Sequence, residues 1–129
     1  MNPSFFNNND TICALSTPAG SGAIGIVRLS GPEAISICDS LFQPKNAGFR
    51  LEKSGSHTVH FGRIHDGETL IDEVLVSVFL QPHSYTGQNI VEISCHGSVY
   101  IQRRIIELLL THGARLAEPG EFTLRAFMN

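Results

Sequence analysis

No apolar run in this chain approaches the roughly 20 residues that a membrane span needs, and its opening, MNPSFFNNND, lacks the basic start and apolar stretch of an export signal. Membrane insertion and export are not expected; a cytoplasmic location is. Cysteine is scarce: Cys13, Cys38 and Cys95 are odd in number, far apart and without CxxC spacing. That pattern argues against a disulfide framework or a structural zinc site, and the three read as buried thiols in a reducing compartment. Basic charge is also in short supply, with nine Lys and Arg against twelve Asp and Glu for a formal charge of −3. The total gives no general attraction to a phosphate backbone, so nucleic-acid contact must be local or lie elsewhere. Nowhere does GxxxxGK[ST] occur, which removes the phosphate cradle of a P-loop. The six histidines show neither HExxH nor paired ligand spacing, and no metal site is expected.

What is present suits one packed domain: 129 residues with 42% hydrophobic content. The segment TPAGSGAIGIVRLSG contains Gly20-x-Gly22-x-x-Gly25, the letters of a dinucleotide-binding turn. That turn works only when a helix follows it and receives the pyrophosphate at its N-terminus. Here Ile-Val-Arg-Leu follows, an alternating, β-branched run, so the glycines precede a strand and the motif fails its context. TICALST (11–17) and AIGIVRLSG (23–31) read as strands, and SGPEAISICDSLF as a helix capped by Ser30 or Gly31 with Ile35, Cys38, Leu41 and Phe42 on its apolar face. Residues 43–56 read as a loop. HTVHFGRIH and TLIDEVLVSVFL flank Asp66-Gly67 and predict an antiparallel hairpin. NIVEISC (89–95) predicts a further strand. GSVYIQRRIIELLLTHGA predicts a helix with Ser98 as its cap, Gly113 after its end, and Val99, Ile101, Ile105, Ile106, Leu109 and Leu110 inward. ARLAE is a short strand and a third helix begins at Pro119. The order gives an α+β fold: a two-layer sandwich of one mixed sheet with helices on one face.

Two strands carry a charge inside an apolar pattern. Arg28 shares a face with Ile26 and Ser30, and Glu92 shares one with Ile90 and Ser94. A half-buried charge needs a partner, because desolvating it alone costs several kcal/mol. Either the two satisfy each other or sit exposed, or they meet a polar ligand in a cleft. Tyr85 and Phe122 read as packing residues that can also stack on a flat heterocycle. Cys95-His96 is not expected to form a nucleophilic dyad, since neighbours at a strand end point to opposite sides and no third residue orients the imidazole. Arg103-Arg104 reads as a solvated helix face.

Three long stretches, DTICALSTPAGSGAIGIVRLSGP, PHSYTGQNIVEISCHGS and HGARLAEPGEFTLRAFMN, closely resemble the N-terminal domain of the MnmE (TrmE) family of bacterial tRNA-modification GTPases. The resemblance runs from Asp10 to Asn129. It implies a homodimerisation module similar to the folate-binding part of the glycine-cleavage T-protein, over residues 10–118. Residues 1–9 are then a disordered start and 119–129 begin the next helix. The implied ligand is a tetrahydrofolate one-carbon donor, 5-formyltetrahydrofolate or 5,10-methylenetetrahydrofolate. The family's folate-contacting arginine falls on Arg28 and its glutamate on Glu92. GTP, magnesium and potassium belong to a G domain that these residues do not include, as does the P-loop. The full-length enzyme that the resemblance implies works with the FAD-dependent partner MnmG on carbon 5 of a tRNA wobble uridine. A structural dimerisation or docking module without folate is the alternative. Departures from the family pattern are Gln88-Asn89 where Glu-Asp is usual, and Ser98 where glycine is.

Overall fold

In the computed structural model, which describes residues 8–129, the alternating segments become strands. Among the described residues these are β1 (Ile12–Leu15), β2 (Ile24–Ser30), β3 (Phe42–Pro44), β4 (Thr58–Asp66), β5 (Thr69–Phe79), β6 (Ile90–His96) and β7 (Arg115–Leu116). One mixed sheet joins them in the order β3-β4-β5-β6-β2-β1-β7. Every neighbouring pair is antiparallel except β1 and β7. The helices are α1 (Ala34–Leu41), α2 (Val99–Thr111) and α3 (Glu121–Met128). The expected disordered start lies outside the described residues for 1–7. Asn8 is placed, and it accepts hydrogen bonds from the Gln88 amide.

The period of two decides the layers. Val27 and Leu29 of β2, Val91 and Ile93 of β6, and Val74, Val76 and Val78 of β5 all point to one face and are buried. Against them pack Ile37, Cys38 and Leu41 of α1 and Ile105, Leu108 and Leu109 of α2. This is the α+β two-layer arrangement that the element order predicts. Asp66-Gly67 turns the β4–β5 hairpin, with Gly67 at φ 59° and Asp66 opposite Thr69. Ser98 caps α2 by accepting from the Ile101 N–H, and Gly113 follows its end at φ 110°.

Three local expectations are corrected. Neither Ser30 nor Gly31 caps α1. The residue before the helix is Glu33, whose N–H donates to the Thr11 hydroxyl at 2.9 Å, while the Ser30 side chain is taken by Thr86 and Gln88. The 43–56 loop is partly ordered: Phe42 starts β3, and Leu51–Lys53 form a 3₁₀ turn held by Asp39, whose carboxylate accepts from Leu51 N–H and Arg50. On α2 the inward face is rotated. Gln102 and Leu108 are buried, while Val99 and Leu110 are exposed. Gln102 fits because Gly25 has no side chain: a Cβ there would stand 2.6 Å from the Gln102 Nε2. The third glycine of the GxGxxG pattern thus admits a helix side chain, not a nucleotide.

Candidate functional site

β2 and β6 pair with Arg28 directly opposite Glu92. Both lie on the sheet face away from α1 and α2, because Val27, Leu29, Val91 and Ile93 take the other. Strand register therefore sets the contact: Arg28 Nε donates to Glu92 Oε2 at 2.8 Å, and Nη2 stands 2.8 Å from the same oxygen in an ion pair. About a quarter of the arginine side chain and a fifth of the glutamate remain exposed, at 24% and 21%. The open alternative in the sequence is thereby resolved in one respect, since each charge has the other as its partner.

Two aromatic rings flank the guanidinium. Tyr85 comes from the β5–β6 connection and Phe122 from α3, and their centroids lie 5.5 and 5.4 Å from Arg28 Cζ. The Tyr85 hydroxyl and the Thr123 hydroxyl are 2.9 Å apart and tie the two walls together. Between them is a cleft of about 330 Å³ lined by Leu15, Ser16, Arg28, Tyr85, Phe122 and Thr123, with Gly120 at its margin. Glu92 is not a lining residue; it reaches the cleft through the guanidinium it holds. A cation fixed by its carboxylate beside two rings can bind an anion or a carbonyl while the rings cover a flat heterocycle. No helix of the described residues is long and apolar enough to cross a membrane.

The wall that carries Phe122 is fastened by buried charge. Glu121 (0% exposed) and Arg125 (1%) sit one turn apart on α3. Glu121 accepts from Arg115 Nη1 at 3.0 Å and Nη2 at 2.6 Å. Arg125 donates to the Asp10 backbone carbonyl at 2.7 Å, to the Asp10 carboxylate, and to Gln88 Oε1 at 3.0 Å. Burial pushes the Asp10 carboxyl up, but the Arg115 and Arg125 guanidiniums outweigh it and hold it below the usual carboxylate range. The hydrogen bond to Glu121 pushes Arg115 further up. Gln88 Oε1 therefore serves Arg125 and the Ser30 hydroxyl. Gln88 is not a lining residue of the cleft.

A pairing missed in the sequence is Asp72 with His96. Asp72 is nearly buried and accepts from both the His96 backbone N–H at 2.8 Å and its Nδ1 at 2.7 Å. Cys95 is no partner to that imidazole. Its thiol is buried against the Gly25 carbonyl, and burial, reinforced by the Asp72 charge, pushes its pKa up to about 11. Only the β5–β6 register brings residue 72 to residue 96; no short-range signal could have shown it. Arg103 is exposed, as the solvated-face reading has it, whereas Arg104 is half-buried and engaged by Asp66 at 2.8 Å. No group of metal-ligating side chains occurs among the described residues.

Fold and cleft define an α+β domain that presents one held cation and two rings on the open face of its sheet. The family model described as the N-terminus of the GTP-binding protein TrmE matches residues 11–129, and the chain belongs to that family. It is similar to the proteins named tRNA modification GTPase MnmE of Bacteroides thetaiotaomicron (57% identical, 95% of this chain and 26% of that protein), Christiangramia forsetii (58%, 94% and 25%) and Staphylococcus haemolyticus (52%, 93% and 26%). The chain spans about a quarter of the length of these relatives.

Proposed function

We propose that this chain is the folate-binding, homodimerising N-terminal domain of a tRNA-modification GTPase that acts with MnmG at carbon 5 of the wobble uridine. One observation carries the folate reading: a guanidinium held by its own carboxylate between two aromatic rings in a cleft of about 330 Å³. The donor set fits a reduced folate. Arg28 Nη1 and Glu92 Oε1 have no protein hydrogen bond among the described residues. Of the two, Arg28 lines the cleft and can donate to a ring carbonyl or a carboxylate, Glu92 acts by holding that guanidinium, and Tyr85 and Phe122 supply flat apolar cover. When bound, 5-formyltetrahydrofolate or its 5,10-methylene relative supplies a one-carbon unit. The protein's own part is to orient the ring: Glu92 fixes the guanidinium, and the charge network on α3 holds Phe122 over it.

GTP hydrolysis, with its magnesium and potassium, belongs on this reading to a G domain outside these residues, in line with the relatives' name and the absence of GxxxxGK[ST] here. Homodimerisation rests on the family resemblance and on exposed apolar side chains such as Ile24 and Leu116. Sedimentation at micromolar concentration checks it; a monomer throughout refutes it.

A second reading has its own support: Arg28 and Glu92 satisfy each other, as they would in a docking module with no ligand. Calorimetric titration of 5-formyltetrahydrofolate separates the two. For a ligand site, Arg28→Ala and Glu92→Ala each weaken binding by about 1.5 to 3 kcal/mol, the range for hydrogen bonds to charged groups. Their melting temperatures fall little, since the pair is partly solvated. Loss of stability with no binding to lose refutes the folate role.

A further inference from the structure

The charge of this domain is segregated. Residues 43–65 hold four of its nine Lys and Arg (Lys45, Arg50, Lys53, Arg63) and three of its six histidines, but one of its twelve acids, Glu52. The −3 total conceals a basic stretch in an acidic remainder. This stretch folds into the β3–β4 edge of the sheet, at the far side from the β1–β7 edge.

Aromatic surface stands in the same place. Phe61 is 43% exposed, and the Lys45 ammonium lies 5.6 Å from its ring centroid. Phe49 stacks on His60 with centroids 4.6 Å apart. Two clefts, of about 320 and 440 Å³, meet at Pro44, Lys45 and Phe61, one running on to Arg63 and the other to Phe49 and His60. Arg63 is paired with Glu73 at 3.3 Å, but both are about half exposed. Such a pair contributes little, so a phosphate can take the carboxylate's place. The groove survives because Gly62 has no side chain: a Cβ there would lie 2.3 Å from the Gln43 carbonyl and force β3 away.

We propose that this edge groove binds an unpaired stretch of RNA, with a base stacked on Phe61 and the flanking phosphates on Lys45 and Arg63. Alternating cations and flat rings along a groove suit a single strand, whose bases are free to stack, better than a duplex. The proposal rests on the reading that the chain serves a tRNA-modifying protein, and it names the part of the RNA and the surface it meets. The folate cleft is separate, since Arg28 is on β2, three strands away from β4 in the sheet.

The test measures anisotropy of a fluorescein-labelled RNA hairpin carrying the anticodon stem and loop of a tRNA, with a fully paired RNA duplex for comparison. The wild-type chain should bind the hairpin more tightly than the duplex. Phe61→Leu, which keeps apolar volume but loses the flat face, should weaken it roughly 5- to 100-fold, and Phe61→Trp should restore it. Lys45→Ala with Arg63→Ala should flatten the slope of log affinity against log salt by about 1.4, two single-strand phosphate contacts. Equal binding of duplex and hairpin, or unchanged affinity in Phe61→Leu, overturns the proposal. A change in sedimentation with Phe61→Leu and none in RNA binding also overturns it, and assigns the face to a second copy of the chain. Titrating 5-formyltetrahydrofolate into the same variants keeps the two readings apart. Folate bound normally with no RNA binding sinks this proposal alone, and RNA binding without folate sinks only the folate reading.

Discussion

Arg125→Met tests whether buried charge fastens the aromatic wall. The substitution keeps the length of the side chain and most of its apolar stem but removes the guanidinium. Arg125 is 1% exposed and donates to the Asp10 carbonyl, the Asp10 carboxylate and Gln88 Oε1. Breaking a buried pair by deleting one partner typically costs about 3 to 5 kcal/mol. Here Glu121 keeps both bonds from Arg115, so its charge is not stranded. The Asp10 carboxylate keeps Arg115 and Gln88 Oε1 keeps the Ser30 hydroxyl, so the cost comes chiefly from the lost charge-assisted hydrogen bonds, that to the Asp10 carbonyl included, at about 1.5 to 3 kcal/mol for the strongest. The expected loss is about 3 kcal/mol. For a domain of 129 residues, at about 3 to 5 °C per kcal/mol, the melting temperature should drop by about 10 to 15 °C. Urea unfolding and calorimetry measure it. The double variant Glu121→Met/Arg125→Met should cost less than the two single losses added, with a coupling of about 1 kcal/mol or more. A loss below about 1 kcal/mol, or strict additivity, would falsify the claim that this network holds α3. Because Phe122 rides on α3, the variant should also lose folate affinity on the proposed function.

Acid should release the same latch. The folded Asp10 pKa lies below its unfolded value of about 3.9, so the folded state binds fewer protons than the unfolded one in that range. Its contribution is complete above pH ~4 and is lost as pH falls through the folded value; Asp10→Asn should flatten the acid limb of a urea-stability profile, and an unchanged limb rejects the assignment. Gly97→Ala should destabilise by about 1 to 3 kcal/mol, because its Cβ would stand 2.0 Å from the Gly22 backbone carbonyl. Gly25→Ala meets the Gln102 side chain and not backbone among its nearest neighbours, so it should cost less; the reverse order in thermal melts contradicts the packing described. With burial pushing Cys13 and Cys95 up to about 11 and Cys38 higher still, all three thiols should resist dithionitrobenzoate in the native state and react after unfolding. Rapid native labelling of any one would show that the core opens.

Local rules determined much of this protein. Period-two runs marked β2, β5 and β6, Asp66-Gly67 marked the hairpin, and Ser98 and Gly113 bracketed α2, because turn and cap chemistry act within a few residues. Alternation alone put Arg28 and Glu92 on single faces of their strands. That these two faces coincide was not local: it depends on β2 pairing with β6 in a register that sets residue 28 against residue 92. The three-residue β3 is too short to show a period, and its pairing with β4 exists because Gly62 leaves room. Likewise, the burial of Gln102 follows from Gly25 across the interface, so helical periodicity misjudged the inward face of α2. The Asp72–His96 pair and the Asp10–Arg115–Glu121–Arg125 network join residues up to 115 positions apart. A sequence states which side chains carry charge, but only strand register and helix docking decide which charges meet, because the partners lie far apart along the chain and a charge that loses water needs a partner wherever the fold places it.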